Sequence, residues 1–235
     1  MFILFDLFHT LVHGGDDDRD LVVMRMAPIL GVDPVALVRA YHDSWRERIV
    51  APDLHATVRE LAVRVGGSPT TEQVDRAARL RHDLVRRLLD AASADTLTGL
   101  ESLRRQGHRL ALVSNATAEA VSAWPASPLA PHFAAVAFSC EVGVAKPAAG
   151  IYHHAVHAVG ATSASDCVFV GDGGDGELAA AAALGMTVIR TIEHNDTDPA
   201  WPGPTIAAMR DLPALLDRRS ASGRGGAADP PRTPR

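Results

Sequence analysis

The chain opens on an apolar run, Met1 through Phe5, and turns polar at Asp6. A run this short is below helix length and predicts a buried strand with Asp6 at its carboxyl end. His13-Gly14-Gly15 and the acids Asp16, Asp17 and Asp18 then form a flexible polar exit. From there to about residue 92 the pattern is helical, with no strand-like alternation. Asp33-Pro34 reads as an N-cap with proline in the first turn, leading Val35, Leu37, Val38, Tyr41 and Trp45 along one side. Val58, Leu61, Ala62 and Val65 make a second stripe ending at Gly66-Gly67. Thr70 with Gln73 has the form of a capping box opening a helix through Leu88 and Leu89. Beyond it helix and strand alternate: helical patterns cover 100–107, 150–159 and 177–184, and strand patterns cover 110–113, 134–139, 167–170 and 187–192.

Such alternation predicts an α/β fold, a Rossmann-like three-layer arrangement with a parallel sheet between helices. The first strand belongs to that sheet despite its distance in sequence. The expected organisation is a core of residues 1–13 and 93–217, an inserted all-helical cap over 14–92, and a disordered tail over 218–235. The tail follows from composition, since Arg, Ser, Gly, Ala and Pro leave little there to bury.

A chain of 235 residues with 47% hydrophobic content buries a sizeable core, and a formal charge of −5 carries no electrostatic footprint for nucleic acid. No apolar stretch reaches membrane-span length, and Asp6 interrupts the N-terminus before any signal-peptide pattern develops. A cytoplasmic protein is the expectation. Cys140 and Cys167 lack zinc spacing and read as buried thiols in a reducing compartment. Of the 23 Lys and Arg residues only Lys146 is a lysine. The bias that replaced lysine elsewhere did not replace this one.

Four strand ends carry candidate chemistry. Asp6 suits a nucleophile or a metal ligand, although the segment alone reads more readily as an aspartate starting a turn. Ser114-Asn115 ends the second strand with a hydroxyl able to donate to an anionic oxygen. Lys146, ahead of Pro147, can neutralise an anionic substrate. The fourth strand runs into Gly171-Asp172-Gly173-Gly174-Asp175-Gly176-Glu177, where Asp172 and Glu177 could supply oxygen ligands to Mg²⁺. That loop is neither GxGxxG nor Walker A, and Asp175 reads better as a turn residue than as a ligand.

In this order the segments resemble the haloacid dehalogenase (HAD) superfamily of hydrolases. The resemblance rests on Asp6 with Thr10, on Ser114, on Lys146, and on Gly171-Asp172 with Glu177, and it covers residues 1–192 including the helical cap. It implies that Asp6 attacks phosphorus to give an aspartyl-phosphate, with Lys146 pairing to Asp6 and Ser114 binding a phosphoryl oxygen; Thr10 and Asn115 join that phosphate site. Mg²⁺ would be held by Asp6, Asp172 and the backbone carbonyl of Phe8, with Glu177 in support. The substrate implied is a small phosphorylated metabolite, chosen with help from the cap arginines Arg46 or Arg48.

One residue departs from the family pattern. Phe8 stands where family phosphatases carry the aspartate that serves as general acid, a group typically worth about 10²–10⁴ in rate. His9, in a position where the family usually has glycine, or His13 could supply the proton instead. An aromatic at residue 8 is similar to the metal-free dehalogenase branch, as are Tyr41, Trp45 and Arg46 in the cap. Asp172 counts against that branch, because a ligand carboxylate in a metal-free site is an unpaired buried charge. A cap without lysine excludes Schiff-base chemistry of the phosphonatase kind. A binding or regulatory protein on this scaffold, having lost turnover with its acid, is the remaining alternative, and the sequence sets neither substrate identity nor oligomeric state.

Overall fold

The computed structural model describes residues 1–224. Strand β1 (Phe2–Phe5) is followed by five helices, α1 (Asp16–Leu30), α2 (Pro34–Asp43), α3 (Trp45–Arg48), α4 (Leu54–Arg64) and α5 (Thr71–Asp90). The chain then runs through α6 (Ala94–Arg105), β2 (Arg109–Ser114), α7 (Ala118–Ala123), β3 (Ala135–Phe138), α8 (Ser139–Val142), α9 (Ala149–Val159), β4 (Cys167–Gly171) and α10 (Glu177–Ala183). It finishes with β5 (Thr187–Thr191), β6 (Thr205–Ile206) and α11 (Leu212–Arg224).

The strands form one parallel sheet in the order β3-β2-β1-β4-β5-β6, so this is the expected α/β Rossmann-like architecture. Central β1 reads as continuous apolar sequence because helices cover both faces. Ile3 and Phe5 enter one core with Leu100 and Leu103 of α6 and Leu212 of α11; Leu4 enters the other with Ile151 and Tyr152 of α9 and Leu178 of α10. Strand register sets where the chain leaves the sheet. Phe5 lies opposite Leu112 of β2 and Val170 of β4, and the Asp6 amide donates to the Val170 carbonyl at 2.9 Å. The residues succeeding these strands therefore emerge side by side at one end of the sheet.

Helices α1–α5 build a third core of their own, with Val23, Met26 and Leu30 of α1 against Leu37 and Tyr41 of α2, Leu61 of α4, and Ala77 and Leu84 of α5. At the starts of α2, α4 and α5 polar side chains take up free amides: Asp33 accepts from Ala36, Asp53 accepts from Ala56, and Thr70 with Gln73 completes a capping box. Each such cap contributes about 1 kcal/mol. Among the described residues no helix is long and apolar enough to cross a membrane. Both cysteines are free, and burial pushes each thiol up to about 11, so neither is a ready nucleophile at neutral pH.

One boundary needs correction. Residues 218–224, expected in a disordered tail, continue α11, because Leu212, Leu215 and Leu216 anchor that helix against the core and the following residues extend it. Residues 225–235 of the expected tail lie outside the described residues. Helix α7 and strand β6 are short elements that periodicity did not resolve.

At Gly99, α6 presses on the turn Met209–Asp211: a Cβ there would lie 2.9 Å from the Met209 carbonyl oxygen, which is backbone and cannot swing aside. Alanine normally gains up to about 1 kcal/mol over glycine inside a helix, but overpacking here costs about 1–3 kcal/mol. Gly99→Ala should therefore lower the urea unfolding midpoint, and a raised midpoint would show that the contact is not tight.

Candidate active site

The four segments converge, although the Lys146 segment, expected at a strand end, lies beyond β3 and the short α8. Asp6 follows β1, Asp172 follows β4, Glu177 opens α10, and Lys146 comes from the loop between α8 and α9. Asp6, Asp172 and Glu177 are 6%, 3% and 1% exposed, and carboxylate oxygens from all three lie within 4.8 Å of one another. Lys146, equally buried, donates from Nζ to Asp6 Oδ1 and, at 2.5 Å, to Glu177 Oε2. Glu177 Oε1 accepts from the Gly173 amide at 3.2 Å, which aims its other oxygen at the lysine. A Cβ at residue 171 would sit 2.0 Å from Glu177 Oε1, so glycine there lets that carboxylate keep its place. Asp172 accepts from the Gly174 amide at 3.3 Å and from the Thr197 hydroxyl.

Three carboxylates faced by one ammonium leave an excess of negative charge in a buried place, which is costly unless protons or a cation compensate. Burial is the largest influence on Asp6 and raises its pKa; Asp172 adds to the rise and Lys146 opposes it. Burial likewise pushes Glu177 up to about 8, against the pull of Lys146. Burial alone would lower the Lys146 pKa, but Asp6 and Glu177 together hold it above its ordinary value. A hard divalent cation fits this donor set, since it accepts only oxygen ligands and supplies the missing charge.

The cluster forms the floor of a cavity of about 370 Å³. Its other wall comes from the helical insert: Tyr41 and Trp45, then Arg81, Leu84, Val85 and Leu88 along α5. The expected site residues occupy it unequally. Asn115 lines the cavity, but its amide is engaged in holding Lys146: Oδ1 accepts from the Lys146 amide at 2.7 Å, and Nδ2 donates to the Lys146 carbonyl at 3.0 Å and to Asp175 at 2.8 Å. Asp175 is thus the turn residue its position suggested. Ser114 and Thr10 are fully buried and do not line the cavity, each with a hydroxyl that has no hydrogen-bond partner among the described residues.

His9 lines the cavity with Nε2 3.2 Å from Asp16 Oδ2, and its backbone is left-handed at φ 64°. That conformation is strained for histidine and free for glycine. His13 is exposed, its ring 6.2 Å from that of His9 and 6.0 Å from that of His194. Arg46 does not belong to the site: it points to solvent from α3 and does not line the cavity. Arg48 is buried but lies behind the wall, stacked 3.5 Å over the Tyr41 ring and bonded to Ser44 and the Tyr41 carbonyl.

Among the lining residues that were missed are Asn195, Thr197 and Arg81. Asn195 and Thr197 follow β5 at the same end of the sheet, so the strand-end reasoning applied to the other strands would have reached them. Arg81 falls on the apolar stripe Val74, Ala77, Ala78, Leu84 and Val85 of α5, where a charge is out of place. Its burial was legible as that mismatch.

Comparison with known proteins places the chain. The haloacid dehalogenase-like hydrolase family matches residues 2–185. No curated protein matches. Among solved structures, the 2-haloacid dehalogenase of Pseudomonas syringae pv. Tomato DC3000 is similar with a TM-score of 0.69 at 20% identity, over 93% of this chain and 98% of that one. A HAD phosphatase from Thermococcus onnurineus gives 0.67 at 19%, over 91% and 96%. CbbY from Rhodobacter sphaeroides, in complex with phosphate, gives 0.59 at 18%, over 90% and 95%. At these identities the likeness speaks for the fold.

The raised carboxyls set the pH response of the metal-free protein. Glu177 keeps its proton in the fold up to about 8, whereas the unfolded chain releases it near 4.5. Between those values the native state binds more protons, so stability falls as pH rises through that window. Urea midpoints in EDTA should decline from pH 5.5 to pH 8, less steeply in Glu177→Gln. A flat or rising profile would contradict the buried charge excess.

Proposed function

The chain belongs to the haloacid dehalogenase-like hydrolases, and on that premise we propose that it is a Mg²⁺-dependent phosphatase of a small phosphorylated metabolite, acting in the cytoplasm. One observation carries the reading: a buried third acid, Asp172, stands beside the Asp6–Lys146–Glu177 chain with no cation of its own. Hydrolysis at carbon through Asp6 needs no metal, and it would leave the buried charge of Asp172 without a compensating cation. Phosphoryl transfer with a divalent ion supplies one.

The ion would be held by Asp6, Asp172 and the Phe8 carbonyl, with Glu177 in support, and when bound it stabilises charge building on the phosphoryl oxygens. The chain's own residues do the rest. A free Asp6 oxygen attacks phosphorus and the bond to the leaving oxygen breaks, giving an aspartyl-phosphate; water then attacks phosphorus and releases Asp6 and inorganic phosphate. Lys146 orients Asp6 and offsets its charge, while Asn115 fixes the Lys146 backbone on both sides. The hydroxyls of Thr10 and Ser114 are unpartnered among the described residues but do not line the cavity, so they would serve phosphoryl oxygens only after a local rearrangement. His9 takes the place of the missing acid: it gives a proton to the leaving oxygen and recovers one from the attacking water, with Asp16 orienting its ring through Nε2. The helical insert acts as the cap that excludes water.

A second reading, hydrolysis of a carbon–halogen bond, draws on the apolar wall formed by Phe8, Trp45, Leu84, Val85 and Leu88. A panel of phosphate esters and haloacids, assayed with and without Mg²⁺, separates the two. Phosphatase turnover that disappears in EDTA and in Asp6→Asn is expected, and haloacid turnover persisting in EDTA would overturn the proposal. Metal and phosphate binding with no turnover on any substrate would favour a non-catalytic scaffold. His9→Gly should keep the fold, because its backbone suits glycine, yet lose about 10²-fold in kcat; an unchanged kcat would remove His9 from the mechanism.

A further inference from the structure

The wall that the helical insert gives the cavity holds an imbalance of its own. Arg81, with its side chain 5% exposed, donates through Nε at 3.0 Å and Nη2 at 2.5 Å to a single oxygen of Glu119 on α7. Its Nη1 is buried without a partner. Tyr41 lies beside it, the Arg81 guanidinium 5.0 Å from the ring centroid, and the Tyr41 hydroxyl is likewise buried, adjoining Arg48 but without a well-formed hydrogen bond among the described residues. Arg48 stacks on the same ring and contacts no carboxylate. Two buried guanidiniums thus share one buried carboxylate, and each unmet donor leaves a desolvation cost standing.

Both Arg81 and Tyr41 line the cavity whose floor is the catalytic cluster. We propose that Arg81 Nη1 and the Tyr41 hydroxyl form a distal subsite for a second oxyanion, a carboxylate or another phosphate carried on the far end of the substrate. An oxyanion accepts from both donors at once and brings the charge that the Arg48–Arg81–Glu119 group lacks. At about 370 Å³ the cavity is at the small end of ligand pockets, so the two anionic groups belong to one short molecule. The apolar side chains of Leu84, Val85 and Leu88 flank its middle. The subsite rests on the phosphatase reading for the nature of the reacting end, and on Arg81 and Tyr41 alone for the other.

The test compares 3-phosphoglycerate with glycerol 3-phosphate, matched except for the carboxylate, and adds propane-1,3-diol bisphosphate for a second phosphate. p-Nitrophenyl phosphate serves as the control for phosphatase activity itself. In the unmodified protein an anionic far end should lower KM. Arg81→Lys, which retains a charge for Glu119, and Tyr41→Phe, which retains the ring for Arg48, should raise KM for the doubly anionic substrates about tenfold or more and a few-fold respectively, with kcat and glycerol 3-phosphate little changed. Which of the acid and the bisphosphate responds more identifies the oxyanion. Equal losses on every substrate would mean that Arg81 only joins α5 to α7, and no loss would mean that the subsite is not used; either result overturns the proposal. If p-nitrophenyl phosphate is not hydrolysed at all, the phosphatase reading fails separately. Calorimetric binding of 3-phosphoglycerate to the unmodified and Arg81→Lys proteins then decides the subsite, with equal affinities overturning it.

Discussion

Repulsion among three buried carboxylates is the constraint on which this molecule turns. Asp6, Asp172 and Glu177 lie close enough to share a cation, and Lys146 neutralises only part of their charge. Left alone, such a group costs stability, and a fold tolerates it when function requires the charge. Much of the surrounding structure reads as a response to it. Asn115 grips the lysine backbone, the Gly173 and Gly174 amides point at Glu177 and Asp172, and Gly171 gives Glu177 room to approach.

The sheet order makes this assembly possible. Placing β1 between β2 and β4 in parallel register sets residues far apart in sequence at one edge, where the carboxyl ends of parallel strands leave a crevice. The helical insert then closes that crevice with a mostly apolar wall interrupted by Arg81. The molecule has in this way two buried charge imbalances of opposite sign across one cavity, an excess of acid at the floor and an excess of guanidinium at the wall. A ligand carrying charge at both ends, together with a divalent ion, would satisfy both.

Much of this was legible in sequence because strand ends announce themselves. An apolar run that stops at a polar residue marks both a strand and its functional end, which is why Asp6, Ser114 and Asp172 stand out along the chain; Lys146 stands out instead as the only lysine. The cap helices were legible through Asp33-Pro34 and through Thr70 with Gln73. The choice of Arg46 failed because a charge at a helix surface reveals nothing about which face meets a ligand, whereas Arg81 was marked by its place on an apolar stripe. Asn115 shows a different limit: its position was legible, but its role in holding Lys146 depends on a contact 31 residues away that only the fold brings about. The left-handed backbone at His9 was similarly invisible, though the family's usual glycine there now has a reason.

The central claim is that the acid cluster is built to take a divalent ion. Titration of Mn²⁺ into the metal-free protein at pH 7.5, followed by electron paramagnetic resonance, tests it without recourse to any substrate. The account predicts one saturable site per chain, abolished in Asp172→Asn and displaced by Mg²⁺. Absence of binding at millimolar Mn²⁺, or a site that survives in Asp172→Asn, would contradict it.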